Sequence, residues 1–184
     1  NEGILPLEKD DKIALFGGGA VATVKGGTGS GDVNEREVVS IYHGLQDAGF
    51  EFVNKEWLDG YTKLHQEERL RWRDMLQEKL KDAVGMEILD IYSTTPFHMP
   101  TGAAMKESDV AGAKAVFYVI SRKAGEGADR FKEAGDYDLS KTEKEELSWL
   151  DKHCENLVVI INAGGLVNLS EIMKLSNLKA LLSI

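Results

Sequence analysis

Unbroken apolar runs along this chain alternate with longer stretches in which apolar and polar residues mix. The strongest runs cover residues 115–120 and 157–161, and weaker ones cover residues 12–16, 50–53 and 178–184. A run without polar alternation predicts a strand that is buried on both faces, as in a parallel sheet. We therefore predict that the two strongest runs lie at the centre of a mostly parallel sheet.

Amphipathic stretches between these runs predict helices. Residues 35–48 carry apolar side chains at helical spacing, and Gly49 supplies a stop. Ser140 and Glu143 form a capping box that predicts a helix from there to about His153. Strands that alternate with helices indicate an α/β fold. We predict a flavodoxin-like, three-layer α/β/α sandwich with a mostly parallel sheet of about six strands.

The length of 184 residues suits a single domain over residues 1–184. Residues 55–85 are rich in charge, with aromatic residues and leucines near helical spacing, which predicts a helical excursion of one long helix or two shorter ones. Two prolines within residues 91–100 predict a loop, and residues 104–111 predict a short helix. The chain starts without methionine and ends on an apolar run. We therefore expect it to be a piece of a larger multidomain protein.

Charge and composition narrow the possible partners. The chain has 22 basic and 31 acidic residues, so it lacks the basic footprint of proteins that bind nucleic acid or anionic membranes. Cys154 is the only cysteine, which excludes intrachain disulfides and cysteine-rich zinc sites. The four histidines are scattered, and we expect neither a metal nor a cofactor. Localisation stays open, although the single cysteine favours the cytoplasm.

Two glycine-rich segments imitate nucleotide-binding motifs. Residues 17–22 match G-x-G-x-x-G/A, but β-branched residues and two further glycines follow, so we do not expect the helix that a dinucleotide site needs. Residues 26–33 imitate a phosphate-binding loop, but Asp32 stands where the lysine should be and would repel phosphate. With Thr28 and Ser30 in the same loop, hydrogen bonding to a neutral polyol and close packing against a neighbouring domain both remain open.

The sequence Gly-Glu-Gly-Ala-Asp-Arg at residues 125–130 follows the strongest predicted strand. Ligands bind at the carboxyl edge of open α/β sheets, which is where this segment should lie. Glycines on both sides of Glu126 allow a sharp turn and leave space beside the carboxylate. The position of Glu126 alone is consistent both with a catalytic acid and with an exposed turn residue.

Taken in order, these motifs resemble the C-terminal-type α/β sandwich domain of glycoside hydrolase family 3, the β-glucosidase family. The resemblance covers nearly the whole chain and is weakest over residues 55–85. The matching segments are residues 2–7, 12–17, 25–33, 119–122, 125–130, 135–140 and 158–165.

The resemblance implies a retaining, exo-acting glycosidase that removes sugar units from β-linked gluco-oligosaccharides or aryl and alkyl glycosides. It implies that Glu126 is the general acid/base, and that Ser30, Thr28 and Arg130 bind substrate. The aspartate nucleophile would lie on a separate (β/α)8 barrel domain of the same polypeptide, so the isolated chain should be inactive. Ala128 departs from the family, in which many members carry tyrosine.

A non-catalytic ligand-binding or interaction domain on the same fold is the alternative. The sugar, its linkage, the aglycone, the domain order and the oligomeric state stay open.

Overall fold

A computed structural model of the chain describes residues 3–27, 38–123 and 131–184. In this part of the chain, five strands form one parallel sheet with the order β2-β1-β3-β4-β5. This is the strand order of the flavodoxin-like doubly wound folds, so the predicted fold class is confirmed, with five strands in the described part. The strands are β1 (Lys12–Phe16), β2 (Glu51–Phe52), β3 (Ala115–Arg122), β4 (Leu157–Ala163) and β5 (Leu178–Ser183).

The two strongest apolar runs form the central strands, as predicted. All eight residues of β3 are buried, and β4 is buried except at its last residue. The two strands pair in continuous parallel register from Val116 opposite Leu157 to Arg122 opposite Ala163. Central strands of a parallel sheet have no solvated face, which explains why their sequences lack polar alternation.

Helices cover both faces of the sheet. Successive side chains of a strand point to opposite faces. On β3, the Tyr118 hydroxyl donates to Glu146 of one helix, whereas the Ser121 side chain lies against Gly19 of another. The helices of the described residues, in either unit of the chain, are α1 (Gly18–Val21), α2 (Ile41–Asp47), α3 (Lys55–Leu80), α4 (Met86–Thr94) and α5 (Lys141–His153), with short 3-10 helices at Glu107–Asp109 and Ile172–Lys174.

Capping and stop residues in the sequence correctly predicted the start of α5 and the end of α2. Ser140 caps α5, and its hydroxyl accepts from Glu143 N while the Glu143 carboxylate accepts from Ser140 N, which is the predicted capping box. Gly49 has φ 91° and follows α2, as its role as a stop requires. Helix α2 begins later than predicted, because the Ser40 side chain caps it by accepting from His43 N.

Three expectations about local structure were wrong. One helical turn, α1, does follow Gly17, because Gly17 adopts φ 86° and redirects the chain as β1 ends. Helix α4 extends to Thr94 within the predicted loop at residues 91–100, and only the part after it is irregular. The predicted helix at residues 104–111 contains only three residues of 3-10 helix.

The chain divides into two compact units. One comprises Asn1–Leu58 and Met105–Ile184 and contains the sheet, and the other comprises Asp59–Ala104. In the second unit, Trp72 donates from its indole nitrogen to Thr95 O, and Arg69 lies over the rings of Trp72 and Phe97. The prediction of a single domain with an excursion over residues 55–85 stays a prediction. Within the described ranges, no helix combines the length and the apolar character needed to cross a bilayer.

Candidate functional site

Strands β1, β3 and β4 end at the same edge of the parallel sheet, and polar side chains collect there. Gly17 follows β1 and packs directly on the β3 backbone: a Cβ atom at Gly17 would lie 2.3 Å from Val119 O. Ser121 and Arg122 end β3, and Asn162 lies opposite Ser121 near the end of β4. This carboxyl edge is where open α/β sheets bind ligands.

Asn162 connects β4 to the segment that follows α1. Its side chain is buried, and its Oδ1 accepts from Val24 N at 2.6 Å and from the Ser121 hydroxyl at 2.7 Å. Its Nδ2 donates to Val24 O at 2.9 Å. Because Asn162 pairs with both backbone groups of Val24, it fixes the position at which the glycine-rich connection leaves the sheet.

The far end of that connection is held at nearly the same place. The Thr23 hydroxyl donates to Gly19 O at 2.9 Å and accepts from Ile41 N, at the start of α2, at 2.8 Å. Residues 28–37 lie between these anchors and outside the described residues. The connection from Thr23 to Ile41 therefore starts and finishes at the carboxyl edge.

Arg122 forms a buried ion pair with Glu143, the capping-box residue of α5. Its NH1 and NH2 groups donate to the two Glu143 carboxylate oxygens at 2.7 and 2.6 Å. The side chains are only 8% and 16% exposed, so water screens this pair little. Arg122 also donates from Nε to Asp136 O at 3.0 Å and from NH1 to Ser121 O at 3.0 Å. A single guanidinium thus joins β3, α5 and the turn around residue 136.

Asp136 completes the link to the other side of the second connection. Its carboxylate accepts from Phe131 N at 2.7 Å, while its carbonyl accepts from Arg122 as described above. Residues 124–130 lie between Arg122 and Phe131 and outside the described residues. One residue, Asp136, therefore contacts both flanks of the segment that contains Glu126.

The four predicted site residues, Thr28, Ser30, Glu126 and Arg130, all lie outside the described residues, and their roles stay predictions. The structure shows instead that the flanks of both segments meet at one edge of the sheet. The residues that hold these flanks were missed by the sequence analysis as functional candidates. The signal available was a change from apolar to polar residues at the ends of β3 and β4, namely Ser121, Arg122 and Asn162.

Large apolar side chains are exposed beside the two connections and after β4. Val38 and Val39 are each 50% exposed, Phe131 is 68% exposed and Leu166 is 80% exposed. Val38 and Val39 precede α2, Phe131 follows the second connection, and Leu166 follows β4. Exposed apolar side chains that form a contiguous patch are typical of a surface that contacts another part of a protein.

Glu146 is a further acidic residue on the helix that contacts Arg122. Burial raises the pKa of Glu146, the hydrogen bond from the Tyr118 hydroxyl at 2.6 Å opposes that shift, and the nearby Glu143 carboxylate adds to it. In residues 3–27, 38–123 and 131–184, no group of three or more histidine, cysteine, aspartate or glutamate side chains could hold a metal ion.

Cys154 lines a cavity of about 360 Å³ near the start of β3, together with Val110, Val116 and His153. Burial and the Asp151 carboxylate raise the pKa of this thiol to about 11. The nucleophilic form of cysteine is the thiolate. Cys154 is therefore protonated at neutral pH and is not a suitable nucleophile.

Comparisons with known proteins agree on one family. The sequence profile of the glycosyl hydrolase family 3 C-terminal domain matches residues 1–184. Beta-glucosidase A of Butyrivibrio fibrisolvens is 25% identical over 174 residues, which are 90% of this chain and 20% of that protein. A beta-glucosidase of Ruminococcus albus is 27% identical over 180 residues, which are 96% of this chain and 17% of that protein. The chain therefore spans about a fifth of the length of these curated relatives.

A solved structure shows the same fold. Beta-glucosidase 3B from Thermotoga neapolitana, in complex with glucose, superposes with a TM-score of 0.66 and 27% sequence identity. The match covers 97% of this chain and 24% of that one. With the profile match over its whole length, this chain belongs to the glycosyl hydrolase family 3 C-terminal domain family.

Proposed function

We propose that this domain supplies the general acid/base and part of the sugar pocket to a retaining, exo-acting β-glucosidase-like active site. The observation that carries the proposal is the arrangement at the carboxyl edge. Hydrogen bonds from Asn162 and Thr23 hold the flanks of residues 28–37, and hydrogen bonds from Arg122 and Asp136 hold the flanks of residues 124–130. Two segments that share one edge can contribute to one site.

Glu126 is the proposed acid/base. In a retaining mechanism, one carboxylate attacks the anomeric carbon while a carboxylic acid, about 5–5.5 Å away, protonates the departing oxygen. The same residue then takes a proton from the water that releases the sugar. Thr28, Ser30 and Arg130 are the proposed contacts to the sugar, because hydroxyl and guanidinium groups hydrogen-bond to a polyol.

The nucleophile must come from elsewhere, and we propose that an aspartate on a (β/α)8 barrel domain of the same polypeptide provides it. Two findings support a second domain at this edge. The chain spans about a fifth of the length of its curated relatives, which are named β-glucosidases. The exposed apolar side chains of Val38, Val39, Phe131 and Leu166 give this edge a surface suited to contact with another domain. The proposed substrates are β-linked gluco-oligosaccharides and aryl or alkyl glycosides.

The test is Glu126→Ala in the full-length enzyme. Hydrolysis of cellobiose should fall by about 10²–10⁴-fold, because its leaving group needs protonation. For a dinitrophenyl glucoside, whose leaving group needs little protonation, kcat/KM should fall far less while kcat falls because the second step lacks its base. Azide should partly restore kcat, since it attacks the glycosyl-enzyme without a base.

The matched control is Glu133→Ala, which removes an exposed carboxylate close to the same segment and should leave both substrates unaffected. The isolated chain should not hydrolyse either substrate. A folded Glu126→Ala enzyme that hydrolyses cellobiose at close to the wild-type rate would refute the assignment of the acid/base.

A further inference from the structure

The last two residues of β3 hold different connections. Successive side chains of a strand point to opposite faces. The Ser121 hydroxyl donates to Asn162, which binds Val24 in the first connection. Arg122 donates to Glu143 and to Asp136, which binds Phe131 at the end of the second. The side chains of Ser121 and Arg122 therefore lead to the flanks of different connections.

The Arg122–Glu143 pair is not explained by stability alone. Removing two charges from water is expensive, and buried ion pairs can often be replaced by apolar residues without loss of stability. A guanidinium provides several donors in a fixed planar arrangement, which an apolar side chain cannot do and an ammonium cannot reproduce. At this position, that arrangement connects β3, α5 and the turn at Asp136.

We propose that Arg122 is a positioning residue for the general acid/base, acting through the ends of the segment 123–131. This inference rests on the proposed function of Glu126, which follows Arg122 by only four positions. Both ends of this stretch are held by hydrogen bonds that involve Arg122 or its acceptor Asp136. A misplacement of about 1 Å in a catalytic group can lower the rate about 10²-fold.

Arg122→Lys keeps the positive charge but cannot donate to both Glu143 oxygens and to Asp136 O in the same geometry. In the full-length enzyme, we expect kcat/KM for cellobiose to fall about 10–10²-fold. The kcat/KM for a dinitrophenyl glucoside should stay near the wild-type value, because its first step needs little protonation. In the Glu126→Ala background, Arg122→Lys should cause no further loss with cellobiose, because the group that it positions is absent.

Two controls separate positioning from general damage. Tyr118→Phe removes the hydrogen bond from the same strand to Glu146 on the same helix, one turn from Glu143, and should leave both substrates unaffected. Asn162→Ala releases Val24 in the other connection. It should lower kcat/KM for both substrates by a similar factor, because the sugar to be bound is the same in each.

Two variants of Asp136 test the end of the segment at Phe131 and leave the side chains of the buried Arg122–Glu143 ion pair unchanged. Asp136→Ala removes the acceptor of Phe131 N, and it should reproduce the selective loss with cellobiose. Asp136→Asn keeps an oxygen acceptor at that position, so it should restore much of the activity. These variants decide the matter if Arg122→Lys does not fold.

The outcomes are distinguishable. Equal losses with both substrates in Arg122→Lys and Asp136→Ala, or an additive loss in the Glu126→Ala background, would overturn the role of Arg122 and leave Glu126 as the acid/base. If Glu126→Ala itself shows no dependence on the leaving group, the proposed function fails and the role of Arg122 fails with it. If Arg122→Lys loses activity only with cellobiose, and causes no further loss in the Glu126→Ala background, the result supports both the role of Arg122 and the proposed function.

Discussion

Gly17→Ala should strongly destabilise the unit that contains the sheet. Gly17 ends the first strand with φ 86° and ψ 149°, a conformation that costs other residues about 1–3 kcal/mol. A Cβ atom at this position would lie 2.3 Å from Val119 O and 2.9 Å from Val119 N. Both are backbone atoms of the central strand β3, so neither can rotate away as a flexible side chain would.

The two costs add. Forcing a methyl group into a packed position costs about 1–3 kcal/mol, which brings the expected loss to about 2–6 kcal/mol. Domains are stable by only about 5–15 kcal/mol in total. For a chain of this size, a loss of about 4 kcal/mol corresponds to a fall in Tm of roughly 8–16 °C.

Urea unfolding of the purified chain, followed by far-UV circular dichroism, measures this loss. The matched control is Gly44→Ala in the middle of helix α2, where the nearest atom to a new Cβ is 3.9 Å away. That variant should gain about 0.5–1 kcal/mol, since alanine is the better helix former. If Gly17→Ala unfolds within about 0.5 kcal/mol of the wild type, the close packing of Gly17 on β3 is refuted.

Two further predictions follow from pKa shifts. The pKa of Glu146 is raised in the folded state, so the folded chain binds this proton more tightly than the unfolded chain does. The free energy of unfolding should therefore decline as pH rises from about 4.3 through the raised pKa. Glu146→Gln, which can still accept from Tyr118, should remove this decline in urea titrations at several pH values; an unchanged pH dependence would contradict it. With a pKa of about 11, Cys154 should react with iodoacetamide at neutral pH about 300-fold more slowly than an ordinary thiol with a pKa of about 8.5. Unfolding in urea should abolish the difference, and fast alkylation of the folded chain would show that the thiol is not buried.

The order of motifs and the apolar runs were sufficient to predict the family and the fold class. Residues 115–120 and 157–161 became the central strands because unbroken apolar character is needed only where both faces are covered. Ser140 and Glu143 predicted the start of α5 because a capping box acts within four neighbouring residues. The assignments of Glu126, Thr28, Ser30 and Arg130 came from the same motifs and remain predictions.

Helix α1 was decided by tertiary structure. Gly17 turns the chain against Val119, and α1 then lies against β3, about 100 residues later in the sequence. Propensity counts residues one by one, so it did not detect a single turn of helix that is held by a distant strand. Residues 91–94 belong to α4 because Pro96 disfavours helix only from the residue before it onward, so the loop was predicted to begin too early.

The sequence by itself determined the two central strands and the start of α5, because hydrophobic periodicity and caps act over a few residues. It also determined the order of the family motifs. Only the tertiary structure decided which polar groups meet at the carboxyl edge: Asn162 binds Val24 across 138 positions, and Arg122 binds Glu143 across 21. These partners depend on strand order and register. Both are set by packing of the whole sheet, so no local pattern in the sequence contains them.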